Sequence, residues 1–91
     1  MTLRVFTHPA CTECGPAVEM AWRLTKSNDN LNLETVKLEN KTGLSKAQEV
    51  GIKTIPTLIF CEGEEELKRI IGLPEAIQLE KDFLELNQIK H

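Results

Sequence analysis

The sequence of 91 residues predicts one α/β domain over residues 1–91, with the element order β-α-β-α-β-β-α. Two observations lead to this fold class. In the first half of the chain, two segments in which side-chain type alternates flank a segment whose apolar residues recur at helical spacing. Such a β-α-β unit places its two strands parallel through a right-handed crossover. Later strands at residues 57–60 and 67–71 flank Cys61-Glu62-Gly63-Glu64, which predicts an antiparallel hairpin. We therefore expect a four-stranded mixed sheet with helices on both faces.

The first half of the chain predicts a strand, a helix and a second strand. The strand runs from Leu3 to Thr7, where side chains alternate, and Pro9 ends it. The helix runs from Pro16 to about Ser27, because apolar residues recur there at helical spacing. These apolar residues are Ala17, Met20, Ala21 and Leu24. An Asn-Asp-Asn turn follows, and alternation over residues 31–38 predicts the second strand.

Two further helices are expected in the second half. Ser45 and Gln48 occupy the positions of a capping box at the start of the first of them. Gly51 suits the end of that helix, and Pro74 suits the first position of the last helix. The apolar stripe predicted for the last helix is formed by Ala76, Leu79, Phe83 and Leu86, widened by Ile77 and Leu84.

Composition excludes several classes of function. The net charge of −3 and the pI of about 5.4 argue against a nucleic-acid or anionic-membrane surface, which needs a basic face. No apolar run approaches the roughly 18 residues that span a bilayer. The N-terminus carries no apolar run typical of a signal peptide, and three cysteines are an odd number for a disulfide-stapled secreted scaffold. We expect a cytoplasmic protein.

The run Cys11-Thr12-Glu13-Cys14 has the pattern of a dithiol redox site. Its spacing brings both sulfurs within disulfide reach. Cys11 lies after a predicted strand and before a predicted helix, where free amides and the helix dipole favour an anion. A thiolate is the attacking species in thiol–disulfide exchange, and a second thiol nearby resolves the mixed disulfide.

Two stretches resemble the thioredoxin and glutaredoxin families of the thioredoxin-like fold. Thr7-His8-Pro9-Ala10-Cys11-Thr12-Glu13-Cys14 is similar to the glutaredoxin segment before and through the Cys pair, and residues 51–60 are similar to the thioredoxin stretch with the cis-proline. The resemblance implies that Cys11 is the nucleophile and Cys14 the resolving thiol. It implies a cis peptide before Pro56, with the backbone of Ile55 pairing with substrate. The alternative for Pro56 is an ordinary trans proline at an edge strand.

The chain also departs from both families. Thioredoxins carry Trp where Ala10 stands, and a buried Asp where Val5 stands. Glutaredoxins carry a Gly-Gly-x-Asp-like turn before the last helix, which Gly72-Leu73-Pro74-Glu75 lacks. The resemblance is therefore to a hybrid of the two families.

Two residues are candidate modulators of the thiols. The carboxylate of Glu13, between the cysteines, disfavours a thiolate by like charge. His8 could offset it as a cation, or it could be a solvated loop histidine. Pro16 lacks an N–H, and a helix that starts as late as Gly15 would aim its dipole poorly at Cys11.

The remaining chemistry-bearing residues predict no further site. Cys61 ends a predicted central strand, and we expect a buried apolar role for it. A metal site from Cys11, Cys14, Cys61 and His8 lacks paired zinc spacing, so we expect no metal and no cofactor. Trp22 lies at the edge of its helix stripe, which indicates partial packing.

The predicted function is that of a cytoplasmic thiol–disulfide oxidoreductase that reduces protein disulfides through Cys11 and Cys14. Its expected partners are protein disulfide substrates and a reductant, either of the thioredoxin reductase type or glutathione. One alternative is a glutathione-coupled glutaredoxin. Another is a non-catalytic, redox-sensitive binding module on the same fold. We expect a monomer.

Overall fold

The structure is a computed structural model, and it describes residues 1–89, except for the side chain of Ile89. Its elements follow the predicted order β-α-β-α-β-β-α. They are β1 (Thr2–Thr7), α1 (Cys14–Lys26), β2 (Asn32–Lys37), α2 (Lys41–Glu49), β3 (Thr57–Glu62), β4 (Glu65–Ile71) and α3 (Ala76–Ile89). Within the described residues, no helix is both long and apolar enough to cross a membrane.

The four strands form one mixed sheet in the order β2-β1-β3-β4. β1 pairs with β2 in parallel, as the β-α-β unit predicts, and Thr7 lies opposite Lys37 at the end of that ladder. β3 pairs antiparallel with both β1 and β4. Gly63, with φ of 61°, forms the turn between β3 and β4, a backbone region that glycine adopts without a Cβ clash. The predicted mixed sheet and its hairpin are confirmed.

Helices cover both faces of the sheet, and each face has its own core. On one face, α1 and α3 pack against apolar residues of β1 and β3. The core of that face contains Leu3, Val5, Ala17, Ala21, Leu24, Leu31, Leu58, Phe60, Leu79 and Phe83. On the other face, α2 contributes Ala47 to a smaller core with Phe6, Val36, Ile59 and Cys61. The alternation of the strands thus places successive side chains in different cores.

Helix starts differ from the sequence-based expectations. α1 begins at Cys14, two residues before Pro16, since a proline in the first turn lacks only an N–H that has no intrahelical partner. The Asn40 carbonyl accepts from the Leu44 N–H, so Asn40 precedes α2. The predicted capping box is wrong, because Ser45 lies inside that helix.

The last helix also begins later than predicted. The Glu75 carbonyl accepts the first intrahelical hydrogen bond, from the Leu79 N–H, so α3 starts at Ala76 and Pro74 lies outside it. Its buried stripe is narrower than predicted, since Ala76, Ile77 and Leu84 are exposed. Ile77 lies about 200° around the helix from buried Leu79. Leu84 lies two turns after Ile77, on the same exposed side of the helix as Ile77.

Gly43 lets α2 approach the end of β2 closely. A Cβ at this position would overlap the backbone carbonyl of Lys37. A glycine is therefore needed where the helix crosses the strand. The close approach holds the carboxyl end of β2, which borders the site described below.

An ion-pair network ties β1, β2 and α2 together on the α2 face. Arg4 and Glu34, which are register partners, lie 2.7 Å apart (Nε to Oε1), and Lys46 Nζ donates to Glu34 Oε2 at 2.8 Å. The hydrogen bond from Lys46, followed by that from Arg4, lowers the pKa of Glu34 below its ordinary value of 4.5, against an opposing effect of burial. The ionised carboxylate is thus favoured in the folded state.

Glu34→Gln should lower the free energy of unfolding at pH 7 by up to about 1 kcal/mol, because the pair is partly solvent-exposed. The pKa of Glu34 is lowered by folding, so its contribution is present above pH 4.5 and is lost as pH falls through the folded pKa. Urea titrations of both proteins at pH 7 and pH 3 measure this. A stability difference that stays the same at both pH values would contradict the role of the Glu34 charge.

Candidate active site

The two cysteines meet where β1 leads into α1. Cys11 lies in the connecting loop and Cys14 is the first residue of α1, and a disulfide joins them across a Cα–Cα distance of 5.4 Å. The loop is held by its own backbone. The Cys11 N–H donates to the His8 carbonyl at 3.0 Å, and the Ala17 N–H donates to the Glu13 carbonyl at 3.1 Å.

The two cysteines differ in exposure. Cys14 is only 4% exposed, whereas Cys11 is partly exposed. Cys14 faces inward because it begins the buried stripe that Ala17 and Ala21 continue. Only Cys11 is therefore open to a large disulfide substrate. Because α1 begins at Cys14, the positive end of its dipole lies next to the pair, and Pro16 does not shift it away.

A second stretch of chain comes to Cys11 from the loop before β3. The Ile55–Pro56 peptide bond is cis, and the Pro56 side chain is fully buried. The Pro56 carbonyl accepts from the Gly72 N–H at 2.8 Å, and the Thr57 hydroxyl donates to the Thr54 carbonyl. This arrangement leaves Ile55 and Cys11 in the wall of one cleft of about 360 Å³. The cleft, here the Ile55 cleft, is lined by Ala10, Cys11, Thr12, Glu13 and Ile55.

A second, open groove reaches both cysteines from the β2 side. It includes His8 and Trp22, the latter 49% exposed with Lys26 Nζ 4.7 Å from its ring centroid. It also includes Lys37 and Glu39, which sequence reasoning missed. The signal that could have found them is the strand register. A parallel β1–β2 pair places the end of β2 beside the end of β1, which leads into the cysteine loop.

The imidazole of His8 is held by the loop itself. Its Nδ1 accepts a hydrogen bond from the Ala10 N–H at 3.0 Å. This contact uses Nδ1 as an acceptor and ties the ring to the backbone of the loop that carries Cys11. His8 lines the groove that both cysteines also line.

Residues 2–85 match the Thioredoxin family. The chain belongs to the thioredoxin family. Solved structures similar to it include thioredoxin 1 from Thermosipho africanus, with a TM-score of 0.86 and 19% identity over 99% of this chain and 98% of that one. Thioredoxin-2 of a malaria parasite gives a TM-score of 0.82 and 20% identity, covering 92% of this chain and 81% of the other. Thioredoxin O2 of Arabidopsis thaliana gives 0.81 and 18%, covering 93% and 73%. No curated protein sequence matches the chain.

Membership of the thioredoxin family, together with the Cys11–Cys14 disulfide, supports a thiol–disulfide oxidoreductase. Val5 is fully buried in the core under α1 and α3. It occupies the position on β1 where the resemblance to thioredoxins implies a buried Asp, so this position carries no carboxylate. Gly72 has a φ of 88°, and its N–H donates to the carbonyl of Pro56. The stretch from Gly72 to Glu75 therefore supports the Pro56 loop, and it lacks the Gly-Gly-x-Asp-like sequence of the glutaredoxin turn.

Cys61 lies apart from the redox pair. It is 2% exposed and belongs to the core under α2. Burial raises the pKa of its thiol above the ordinary value, which keeps it protonated and unreactive at neutral pH. Among residues 1–89, no three His, Cys, Asp or Glu side chains are grouped so that they could hold a metal ion.

Proposed function

We propose that this thioredoxin-family protein reduces disulfide bonds of other proteins, in the cytoplasm, with Cys11 as nucleophile and Cys14 as resolving thiol. The observation that carries the proposal is the difference in exposure within the disulfide pair. Cys11 is partly exposed and lines the Ile55 cleft, while Cys14 is almost completely buried. A substrate can reach the first sulfur, and the second is held for an internal attack.

The reaction begins from the reduced pair. The Cys11 thiolate attacks one sulfur of the substrate disulfide, forms a mixed disulfide and releases the other sulfur as a thiolate, which takes a proton from water. Cys14 then gives up its proton and attacks the Sγ of Cys11. This step releases the second substrate thiol and forms the Cys11–Cys14 disulfide, so two electrons pass from the protein to the substrate.

The backbone of Ile55 is suited to hold an extended substrate. Within residues 1–89, neither its N–H nor its carbonyl has a hydrogen-bond partner. Ile55 lines the cleft next to Cys11, so its free backbone groups are available to pair with a substrate strand as they would at a sheet edge. The buried Pro56, joined to Gly72, keeps that segment in place.

Glu13 and His8 act as modulators of Cys11 in this proposal. Glu13 brings a carboxylate close to the developing thiolate, while the N-terminus of α1 favours the anion. His8 lines a groove together with Cys11, and as a cation it would favour the thiolate further. The pair is returned to the dithiol by a reductant of the thioredoxin reductase type or by glutathione.

Reduction of insulin disulfides tests the proposal in two coupled systems, one with thioredoxin reductase and one with glutathione and its reductase. We expect turnover in at least one system, lost in Cys11→Ser and retained in Cys61→Ala, which removes the cysteine outside the site. Turnover in the glutathione system alone would identify a glutathione-coupled activity of the glutaredoxin type on this thioredoxin-family fold. No turnover in either system, with Cys11→Ser equal to wild type, would contradict the proposal in favour of a binding module.

A further inference from the structure

We propose that Glu13 makes the Ile55 cleft select disulfides that are flanked by lysine or arginine in the substrate. This inference rests on the proposed reduction of protein disulfides, and it identifies the class of substrate that the same site prefers. The juxtaposition that supports it is a free carboxylate in the wall of the cleft that Cys11 and Ile55 share.

The Glu13 side chain is available to a substrate. It is exposed, and it lines the cleft although it occupies the N-cap position of α1, where acidic side chains often bond to the helix amides. Here it makes no such bond. Within the described part of the chain, Glu13 has no ion-pair or hydrogen-bond partner for its carboxylate, whereas Glu19 and Glu34 are paired with arginine or lysine.

Besides Glu13 and the reacting Cys11, the wall of the cleft has no ionisable side chain. Its other lining residues are Ala10, Thr12 and Ile55. Lys53, an exposed cation two residues before Ile55, does not line the cleft. A substrate paired with the Ile55 backbone therefore meets the Glu13 carboxylate beside the Cys11 thiolate that attacks it, and the thiolate is common to every substrate.

The charge of Glu13 acts in opposite directions on different substrates. A lysine or arginine beside the substrate cysteine gains an ion pair with Glu13, while an aspartate or glutamate is repelled by it. The group is exposed, so each effect is modest. Together they give a preference for basic over acidic substrates of about three- to tenfold at low salt.

Two disulfide-linked peptides that differ only beside the cysteine measure this preference. One carries lysine and the other glutamate in an otherwise neutral sequence with blocked ends. Pre-reduced protein is mixed with each peptide at pH 7, and the released thiol peptide is quantified by chromatography. Each rate is divided by the rate with dithiothreitol, which corrects for the effect of the flanking charge on the peptide itself.

Wild type should prefer the lysine peptide by about three- to tenfold, and Glu13→Gln should bring the ratio close to one. Salt at about 1 M should have the same effect as the substitution, because it shortens the Debye length to about 3 Å. Asp29→Asn is the matched control and should keep the wild-type ratio. It removes the same charge from an exposed turn beyond the far end of α1, about 20 Å along the helix.

Equal corrected rates for the two peptides in wild type, or an unchanged preference in Glu13→Gln, would overturn the role of Glu13 and leave the reductase activity standing. If wild type reduced neither peptide, the proposed function would fail, and the substrate preference with it. These outcomes separate the two proposals.

Discussion

Cys14→Ser should stop turnover and leave the substrate covalently attached to Cys11. The accessible Cys11 still attacks the disulfide, but the serine hydroxyl cannot displace the substrate thiol. Attack by a positioned neighbour has an effective molarity far above that of a free thiol, so we expect turnover to fall by at least about a hundredfold. Intact-mass spectrometry of the reduced variant after reaction with a disulfide peptide should show a protein that is heavier by one peptide thiol.

The controls for this experiment come from the same chain. Cys11→Ser should form no comparable adduct, because both thiols that remain, Cys14 and Cys61, are almost completely buried. Cys61→Ala should behave as wild type and release the peptide. An adduct that forms on Cys14 in Cys11→Ser as fast as on Cys11 in Cys14→Ser would reverse the two roles.

Phe83→Ala should lower the free energy of unfolding by about 3–5 kcal/mol, the largest stability effect we predict. Phe83 is 1% exposed and stacks on Phe60 of β3, with ring centroids 6.2 Å apart. This contact fixes α3 to the sheet. Because domains of this size have about 5–15 kcal/mol of stability in total, the loss is a large part of it.

Urea unfolding at pH 7 measures this loss, and Ile77→Ala serves as the control on the same helix. Ile77 is 67% exposed, so its truncation should change stability by no more than about 0.5 kcal/mol. Similar destabilisation by the two substitutions would mean that α3 does not pack through the Phe83 side of the helix.

The strands and the first helix were predictable because their patterns are local. Alternation over residues 3–7 reflects a strand with side chains in two cores, and the stripe of Ala17, Ala21 and Leu24 reflects burial of one helix face against the sheet. Gly63 marks a turn whose positive φ glycine adopts most easily. The spacing of Cys11 and Cys14 likewise carries its own chemical information, since two residues between them permit a disulfide.

Two other features, the buried side of α3 and the start of α2, could not be predicted from local patterns, because they depend on how each helix packs in the folded protein. Ile77 and Leu84 are apolar and lie on a helix, yet the sheet covers only the side of α3 that carries Leu79 and Phe83. Ser45 and Gln48 have the residue types and the spacing of a capping box. However, α2 begins about one turn before Ser45, so Asn40 is the residue that precedes the helix and Ser45 lies inside it.

The amino-acid sequence by itself determined the order of elements, the mixed sheet and the redox pair at Cys11 and Cys14. Each depends on neighbours in the chain or on a period of two or 3.6 residues. Only the tertiary structure decided that Cys11 is partly exposed and Cys14 buried, and that Ile55, Cys11 and Glu13 line the same cleft. These contacts join segments far apart in the chain, because the packing of β3 beside β1 places the Pro56 loop next to the start of α1.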